Sequence, residues 1–233
     1  IFVNPTQFND PEDLKKYPRT IDADLDMLSL VLRENDFVFV PSAEEIYPEP
    51  DSRIFNFGEL DKVMEGVHRP GHFNGVAQVV SRLFEIIRPS SAFFGQKDFQ
   101  QLTIIREMAR QSFPKIDIVS CPIVREKDGL AMSSRNRRLL PEHRERAGEI
   151  FRTLLAAAAM ASDTEPADIR EFVADRINMI PGFNLEYFEI VEENTLKPVR
   201  SRKDMGPDKK YYGCIALFAG EVRLIDNIEI GLR

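Results

Sequence analysis

The sequence predicts an α/β fold built on a parallel sheet, followed by a smaller α+β unit at the C-terminus. Three observations carry this. Through the first half of the chain, short apolar runs alternate with amphipathic helical patterns, the pattern of parallel β-α-β connections. After about Ile123 the texture changes to two long helical patterns and then three strands. A length of 233 residues, with 43% hydrophobic and 30% charged residues, suits one large or two modest globular domains. The boundary is expected near Val124, dividing the chain into 1–123 and 124–233.

Taken in order, Ile1 to Val3 reads as the end of a buried strand, and Asn4-Pro5-Thr6-Gln7-Phe8 as a loop at its C-terminal end. Thr20 can cap a helix running to about Asn35, with Asp22 and Asp24 in its first turn and an apolar face of Leu25, Leu28, Val31 and Leu32. Phe37 to Val40 is a short apolar strand closed by Pro41. Ile54 to Phe57 reads as a strand and Leu60 to Glu65 as a helical turn. His68-Arg69-Pro70-Gly71-His72-Phe73 is a loop by its Pro-Gly pair. A helix carries Val76, Val79, Val80, Leu83, Ile86 and Ile87 and ends near Arg88, before Pro89. Ala92 to Phe94 is a strand, Lys97 to Ser112 a helix and Ile116 to Val119 a strand. In the C-terminal part, Pro141 to Ala161 reads as one long helix and Pro166 to Met179 as another, stopped by Pro181-Gly182. Tyr187 to Val191, Gly213 to Phe218 and Val222 to Ile230 are the strands, with Ala219-Gly220 turning between the last two.

Several classes are disfavoured. A net charge of −7 and a pI near 5.2 argue against generic binding to nucleic acid or an anionic membrane. No apolar run approaches bilayer length; the longest small-residue run, Leu154 to Ala161, reads as helix. The two cysteines, Cys121 and Cys214, have no metal spacing and read as buried thiols of a reducing, cytoplasmic compartment. No Gly-x-Gly-x-x-Gly follows a strand, which disfavours a dinucleotide-dependent dehydrogenase.

The chemistry-bearing stretch is Phe93-Phe94-Gly95-Gln96-Lys97-Asp98-Phe99-Gln100-Gln101. An apolar strand, a glycine, a cation and a helix start together make a phosphate site. Lys97 supplies the charge, Asp98 can accept from ribose hydroxyls, and Gln101 lies one turn on, on the same side. Met132-Ser133-Ser134-Arg135-Asn136 offers two hydroxyls and a guanidinium as a second oxyanion clamp. Asn4, Gln7, Gly95 and Lys97 all sit at expected strand ends, where parallel sheets bind ligands. Uncharged amides such as Asn4 and Gln7 suit a small polyhydroxy acid. No covalent nucleophile is evident, since Ser133 has no base partner in a motif.

The combination of Phe2 to Phe8, the Asp13 to Thr20 run with Tyr17-Pro18-Arg19, Arg69 to Phe73, Phe94 to Asp98 with Gln101, Met132 to Asn136, and Leu224-Ile225-Asp226-Asn227 resembles the pantothenate synthetase (pantoate–β-alanine ligase) family. The resemblance implies a Rossmann-like nucleotidyltransferase domain with a C-terminal lid, usually a homodimer, joining pantoate to β-alanine with ATP and Mg²⁺ through a pantoyl adenylate. By the same resemblance Gln7, Gln101, Asn4 and Tyr17 bind pantoate. Gly95, Lys97, Asp98, Val124, Met132, Ser133, Ser134 and Arg135 bind ATP. Lys97, Ser133, Ser134, Arg135 and His72 serve catalysis, with Arg69 beside phosphate. Asp24 is the candidate approach to Mg²⁺, through water. Members of the family carry a His-x-Gly-His motif near the N-terminus. The three histidines here, His68, His72 and His143, form no such motif, and the chain opens mid-strand without Met. The expectation is therefore a trimmed N-terminus, and little adenylation by a polypeptide that truly starts at Ile1. The alternatives are another nucleotidyltransferase of the same fold, or a catalytically impaired nucleotide-binding protein.

Overall fold

The computed structural model describes residues 1–8 and 11–231, Asp13 by its backbone only. In chain order its helices are α1 (Pro11–Lys16), α2 (Ile21–Ser29), α3 (Ala43–Ile46), α4 (Glu65–His68), α5 (His72–Ile87), α6 (Phe99–Ser112), α7 (Pro141–Arg146), α8 (Gly148–Met160) and α9 (Pro166–Asn178). The strands are β1 (Ser91–Gly95), β2 (Asp117–Cys121), β3 (Phe183–Glu192), β4 (Tyr211–Ala219) and β5 (Val222–Ile230). The chain forms two compact units, Ile1–Asn56 with Arg69–Pro89, and Phe57–His68 with Ser90–Arg233. The expected 123/124 boundary falls inside the second unit.

The first unit is organised by α5. Its apolar positions Phe73, Val76, Ala77, Val80 and Phe84 recur every three or four residues and are buried. Arg88 closes the helix in the left-handed conformation (φ 51°), and Pro89 prevents its continuation. Ser42 and Glu45 form a reciprocal capping box at α3.

Several expected elements differ in this unit. The expected strand over residues 54–57 is a loop, because its neighbours are amide side chains of α5 rather than another strand. Phe55 N–H donates to Asn74 Oδ1 at 2.9 Å, Asn74 Nδ2 donates to the Arg53 carbonyl, and Gln78 Nε2 donates to the carbonyls of Asp51 and Arg53. Ile1–Val3 and Phe37–Val40 likewise form no strand; the Ile1 nitrogen donates to the Phe39 carbonyl. The helix from Thr20 stops at Ser29, where the Leu30 and Val31 N–H groups turn back to Met27 and Leu28. Its expected apolar face is largely exposed: Leu25, Val31 and Leu32 are open to solvent.

The second unit holds a parallel pair and an antiparallel meander. β1 pairs with β2 in parallel from Ser91↔Asp117 to Gly95↔Cys121, joined through α6. β3, β4 and β5 form an antiparallel sheet in that order. β4 is central and buried almost throughout. One face, with Ile215 and Leu217, packs with Ile150 and Leu154 of α8 and Ile169, Val173 and Ile177 of α9. The other face, with Tyr212 and Cys214, packs with Phe99, Met64 and Leu196. Each such fully buried aliphatic side chain contributes about 1.5–3 kcal/mol. The Phe99–Tyr212 contact, with ring centroids 4.5 Å apart, therefore fastens the start of α6 to the meander. This is the physical reason the β1–α6–β2 segment belongs with the C-terminal residues.

α4 is anchored in the same unit. The buried Glu65 carboxylate accepts from Arg223 Nη2 at 2.6 Å and from the Tyr187 hydroxyl at 2.7 Å. The expected single helix over 141–161 is two helices meeting at Ala147 and Gly148. A Cβ on Gly148 would stand 2.7 Å from the Asp128 carbonyl oxygen, so close packing at the junction requires the glycine.

Candidate active site

In the first unit, the Asn4–Gln7 segment forms a 3-10 turn docked on the start of α5. Asn4 is 3% exposed and both ends of its amide are engaged. Its Nδ2 donates to the Gly75 carbonyl at 3.2 Å, and its Oδ1 accepts from the Thr6 and Tyr47 hydroxyls at 3.0 Å each. Burial raises the Tyr47 phenol above its ordinary pKa, so the phenol stays a donor. Asn4 thus shapes the loop from within. Gln7, next to it, is half-buried. Its backbone carbonyl is held by His72 Nδ1 at 2.8 Å and by Arg69 Nη2 at 3.4 Å. The buried His72 imidazole, as its Nδ1–H tautomer, therefore fixes the Gln7 backbone. Gly75 permits the approach, because a Cβ there would stand 2.5 Å from the Thr6 carbonyl oxygen. Tyr17 stands edge-on to Phe8, with centroids 5.5 Å apart. Asp24 Oδ1 accepts from the Thr20 hydroxyl at 3.2 Å. Among the described residues no group of three or more His, Cys, Asp or Glu side chains could hold a metal ion.

In the second unit, Gly95, Gln96, Lys97 and Asp98 form the turn between β1 and α6. The helix begins at Phe99, two residues later than the sequence pattern implies, so Lys97 precedes it rather than lying on its first turn. Gly95 is not in the left-handed region, and a Cβ built on it meets nothing within 4 Å. The protein alone does not require glycine there. Asp98 is exposed at the N-cap and its carbonyl accepts the Leu102 N–H. Gln101 is half-buried on the first turn of α6.

The turn is gripped from β5. Asn227 Nδ2 donates to the carbonyls of Gln96 at 2.9 Å and Lys97 at 3.1 Å. Beside it Asp226, 4% exposed, accepts a bidentate pair from Arg125 at 2.6 and 3.0 Å. Burial pushes the Asp226 carboxyl upward in pKa; the Arg125 bonds and the nearby Lys97 charge oppose this.

Arg125 opens a short antiparallel ribbon. Arg125 bridges Ala131, Val124 accepts from Met132 N–H at 2.9 Å, and Gly129 turns the ribbon at φ 95°. The ribbon delivers Met132 and the Ser133–Arg135 run. Val124 and Met132 are exposed, 66% and 51%, rather than core. Ser133 caps a 3-10 turn over Ser134–Arg138, its Oγ accepting from Arg135 N–H at 3.2 Å. Asn136 is buried beneath, donating to the Ala131 carbonyl. This turn packs against β5, the strand that carries Asp226 and Asn227.

The second unit therefore brings Lys97 and the Ser133–Arg135 turn to the same strand, and the first unit brings Gln7, Arg69 and His72 together. Arg125, Asp226, Asn227 and Gly75 were not assigned roles from sequence. The signal that could have found the pair on β5 was polarity: two adjacent polar residues, both buried, in a strand otherwise reading as core.

The family model described as pantoate-beta-alanine ligase matches residues 1–229. Pantothenate synthetase from Phocaeicola vulgatus is 56% identical over 98% of this chain and 79% of its own length. The enzyme of that name from Bacteroides fragilis is 54% identical over the same shares. The crystal structure of pantothenate synthetase from Thermus thermophilus superposes with a TM-score of 0.89 at 40% identity, covering 99% of this chain and 82% of that one. That of pantoate-beta-alanine ligase from Francisella tularensis, complexed with beta-gamma ATP and beta-alanine, gives 0.75 at 31% identity, covering 98% and 77%. A strand-end lysine turn, a serine–arginine run and an amide-bearing loop, in a chain matched along nearly its whole length, place this protein in the pantoate–β-alanine ligase family.

Proposed function

We propose that this chain joins pantoate to β-alanine in two steps. A pantoate carboxylate oxygen attacks the α-phosphorus of ATP, forming pantoyl adenylate and breaking the bond to pyrophosphate, which leaves. The β-alanine amine then attacks the acyl carbon, AMP departs with the bridging oxygen, and the amine nitrogen loses its proton. The observation that carries the reading is the Lys97 turn: a cation at the end of a parallel strand, its backbone fixed by the buried Asn227.

Each residue has a role in this scheme. Lys97 meets the negative charge that gathers on the departing pyrophosphate, where a fixed cation is most effective. Ser133, Ser134 and Arg135 donate to phosphate oxygens; Ser133 Oγ accepts from backbone and keeps its own proton to donate. Asp98 accepts from ribose, and Gly95 leaves room for the nucleotide. Val124 and Met132, exposed on the ribbon, line the adenine. Gln7, Gln101 and Tyr17 are the residues the family resemblance assigns to pantoate. Asn4, His72 and Arg69 hold the Gln7 loop in place. Catalysis by positioning and electrostatics suffices, since in-line attack needs no covalent enzyme intermediate. The C-terminal residues would help keep water from the adenylate.

Mg²⁺ enters with ATP as part of the substrate. Asp24, whose Oδ1 accepts from the Thr20 hydroxyl, is the residue proposed to approach it through water. We also place the enzyme in the cytoplasm as a homodimer. The free Cys121 and Cys214 suit a reducing compartment, and no helix among the described residues is long and apolar enough to cross a membrane. Burial pushes the Cys214 thiol well above its ordinary pKa, so it is an inert core group. The test is pyrophosphate release. It should require ATP and pantoate together and proceed without β-alanine, with AMP appearing only once β-alanine is added. Release that needs β-alanine from the start would overturn the two-step order.

A further inference from the structure

Two motifs expected to face phosphate, the Lys97 turn and the Ser133–Arg135 run, are tied to a single guanidinium. Arg125 Nη1 donates to Asp226 Oδ2 at 2.6 Å and to the Gly129 carbonyl at 3.0 Å. Its Nη2 donates to Asp226 Oδ1 at 3.0 Å and to the Asn227 carbonyl at 3.3 Å. Its Cζ lies 3.7 Å from the centroid of Phe151, the ring that a Cβ on Gly129 would strike at 2.6 Å. One end of this assembly thus holds the ribbon that leads into Ser133. The other end holds Asn227, whose amide holds Gln96 and Lys97.

We propose that Arg125, Asp226 and Asn227 form a positioning unit that sets the Lys97 turn for pyrophosphate departure and keeps it in register with the Ser133–Arg135 run. The proposal rests on the adenylation reading above. The energetics favour positioning over plain stability. Asn227 Oδ1 is buried with no hydrogen-bond partner among the described residues, a cost of about 1–3 kcal/mol. Burying the Arg125–Asp226 pair desolvates both charges, and apolar replacements of such pairs are often neutral or stabilising. Aliphatic side chains in this position could not grip two carbonyls of the lysine turn. The amide is suited to that task, because its NH₂ group supplies two donors on one atom.

The experiment is a double-mutant cycle between Asn227→Ala and Lys97→Ala, read as kcat for ATP- and pantoate-dependent pyrophosphate release and as KM for each substrate. Asn227→Ala alone should lower kcat by about 10- to 100-fold. The KM for pantoate should stay within about twofold, and the protein should remain folded by thermal melt. In the Lys97→Ala background the same substitution should change kcat by less than about twofold, because the group being positioned is gone. Asn227→Asp, equal in size but with acceptors facing two carbonyls, should be at least as impaired as Asn227→Ala. Arg125→Lys, which keeps the charge and loses the fork, should show a smaller loss of the same kind. Losses that add in the double mutant, or a normal kcat in Asn227→Ala, would overturn the proposal. If the unsubstituted protein, expressed with whatever residues natively precede Ile1, releases no pyrophosphate, the adenylation reading fails on its own account. Hydrogen exchange then judges the grip: Asn227→Ala should lose protection selectively around residues 96–99, and unchanged protection there would refute it.

Discussion

Gly75 offers the sharpest separation of function from stability. Substitution by alanine would set a methyl group 2.5 Å from the Thr6 carbonyl oxygen, 2.9 Å from its carbon and 3.1 Å from Gln7 Cα. An ordinary C···O contact begins near 3.3 Å, so the Asn4–Gln7 loop must retreat by about 0.8 Å. Backbone cannot rotate out of the way as a side chain can. The displaced segment carries Gln7 and also loses the Asn4 bond to the Gly75 carbonyl. A misplacement of about 1 Å costs up to about 100-fold in rate, so kcat/KM for pantoate should fall by about 10- to 100-fold. Stability should move much less. Alanine gains up to about 1 kcal/mol of helix propensity in α5. The overpacking and the lost hydrogen bond cost about 1.5–4.5 kcal/mol together. With the propensity gain offsetting part of this, the melting temperature of a chain of this size should drop by no more than about 15 °C. The assay is pyrophosphate release against pantoate at saturating ATP, with a thermal melt of the same sample. An unchanged pantoate dependence, or a KM for ATP raised as much as the KM for pantoate, would refute the assignment of this loop to pantoate.

The remaining predictions concern single residues. Lys97→Ala should lower the rate of pyrophosphate release by about 100- to 1,000-fold while leaving the melting temperature in place, and unchanged kinetics would remove its role. Gly95→Ala meets no protein atom, so it should leave stability intact and raise the KM for ATP; a normal ATP KM would mean the nucleotide does not pass close to this backbone. Gln101→Ala should weaken pantoate more than ATP, as measured by the two KM values. Asp51 accepts from Arg53 through both oxygens, and that side chain holds its carboxyl below the usual range. Its folded-state pKa is below the unfolded one, so the pair stabilises the protein above the unfolded value, and this is lost as pH falls through the folded value. Asp51→Asn should therefore destabilise the protein in urea at about pH 7, and the difference should shrink progressively as pH falls below the unfolded carboxylate value of about 3.9.

The sequence was most legible where a side-chain pattern is both local and repetitive. The α5 and α6 periods, the β1–β2 parallel pair and the closing hairpin of β4 and β5 all lie where the apolar spacing puts them. Short apolar runs were the weak point. Phe37–Val40 and Ile54–Phe57 have strand composition, yet a strand also needs a neighbour, and residues 53–55 find theirs in the amides of Asn74 and Gln78. Side-chain donors in a distant helix leave no mark on the local pattern. The motifs of the candidate site were legible, and the structure places Gln7, Lys97 and Ser133 on loops and turns held by buried groups. What holds them was not legible. Asn227 lies 130 residues from the Lys97 carbonyl it binds, and His72 grips the Gln7 backbone rather than anything its own loop suggests. Long-range contacts of this kind depend on how the elements pack, which spacing along one strand or helix does not encode.

The central claim is that the acid is activated as an adenylate before the amine attacks. Pantoate labelled with oxygen-18 in its carboxylate tests it most directly. The AMP formed with β-alanine should carry one labelled oxygen on its phosphate, because the bond to the acyl carbon breaks in the second step. Unlabelled AMP alongside labelled pyrophosphate or phosphate would contradict the claim, since the carboxylate would then have attacked a different phosphorus.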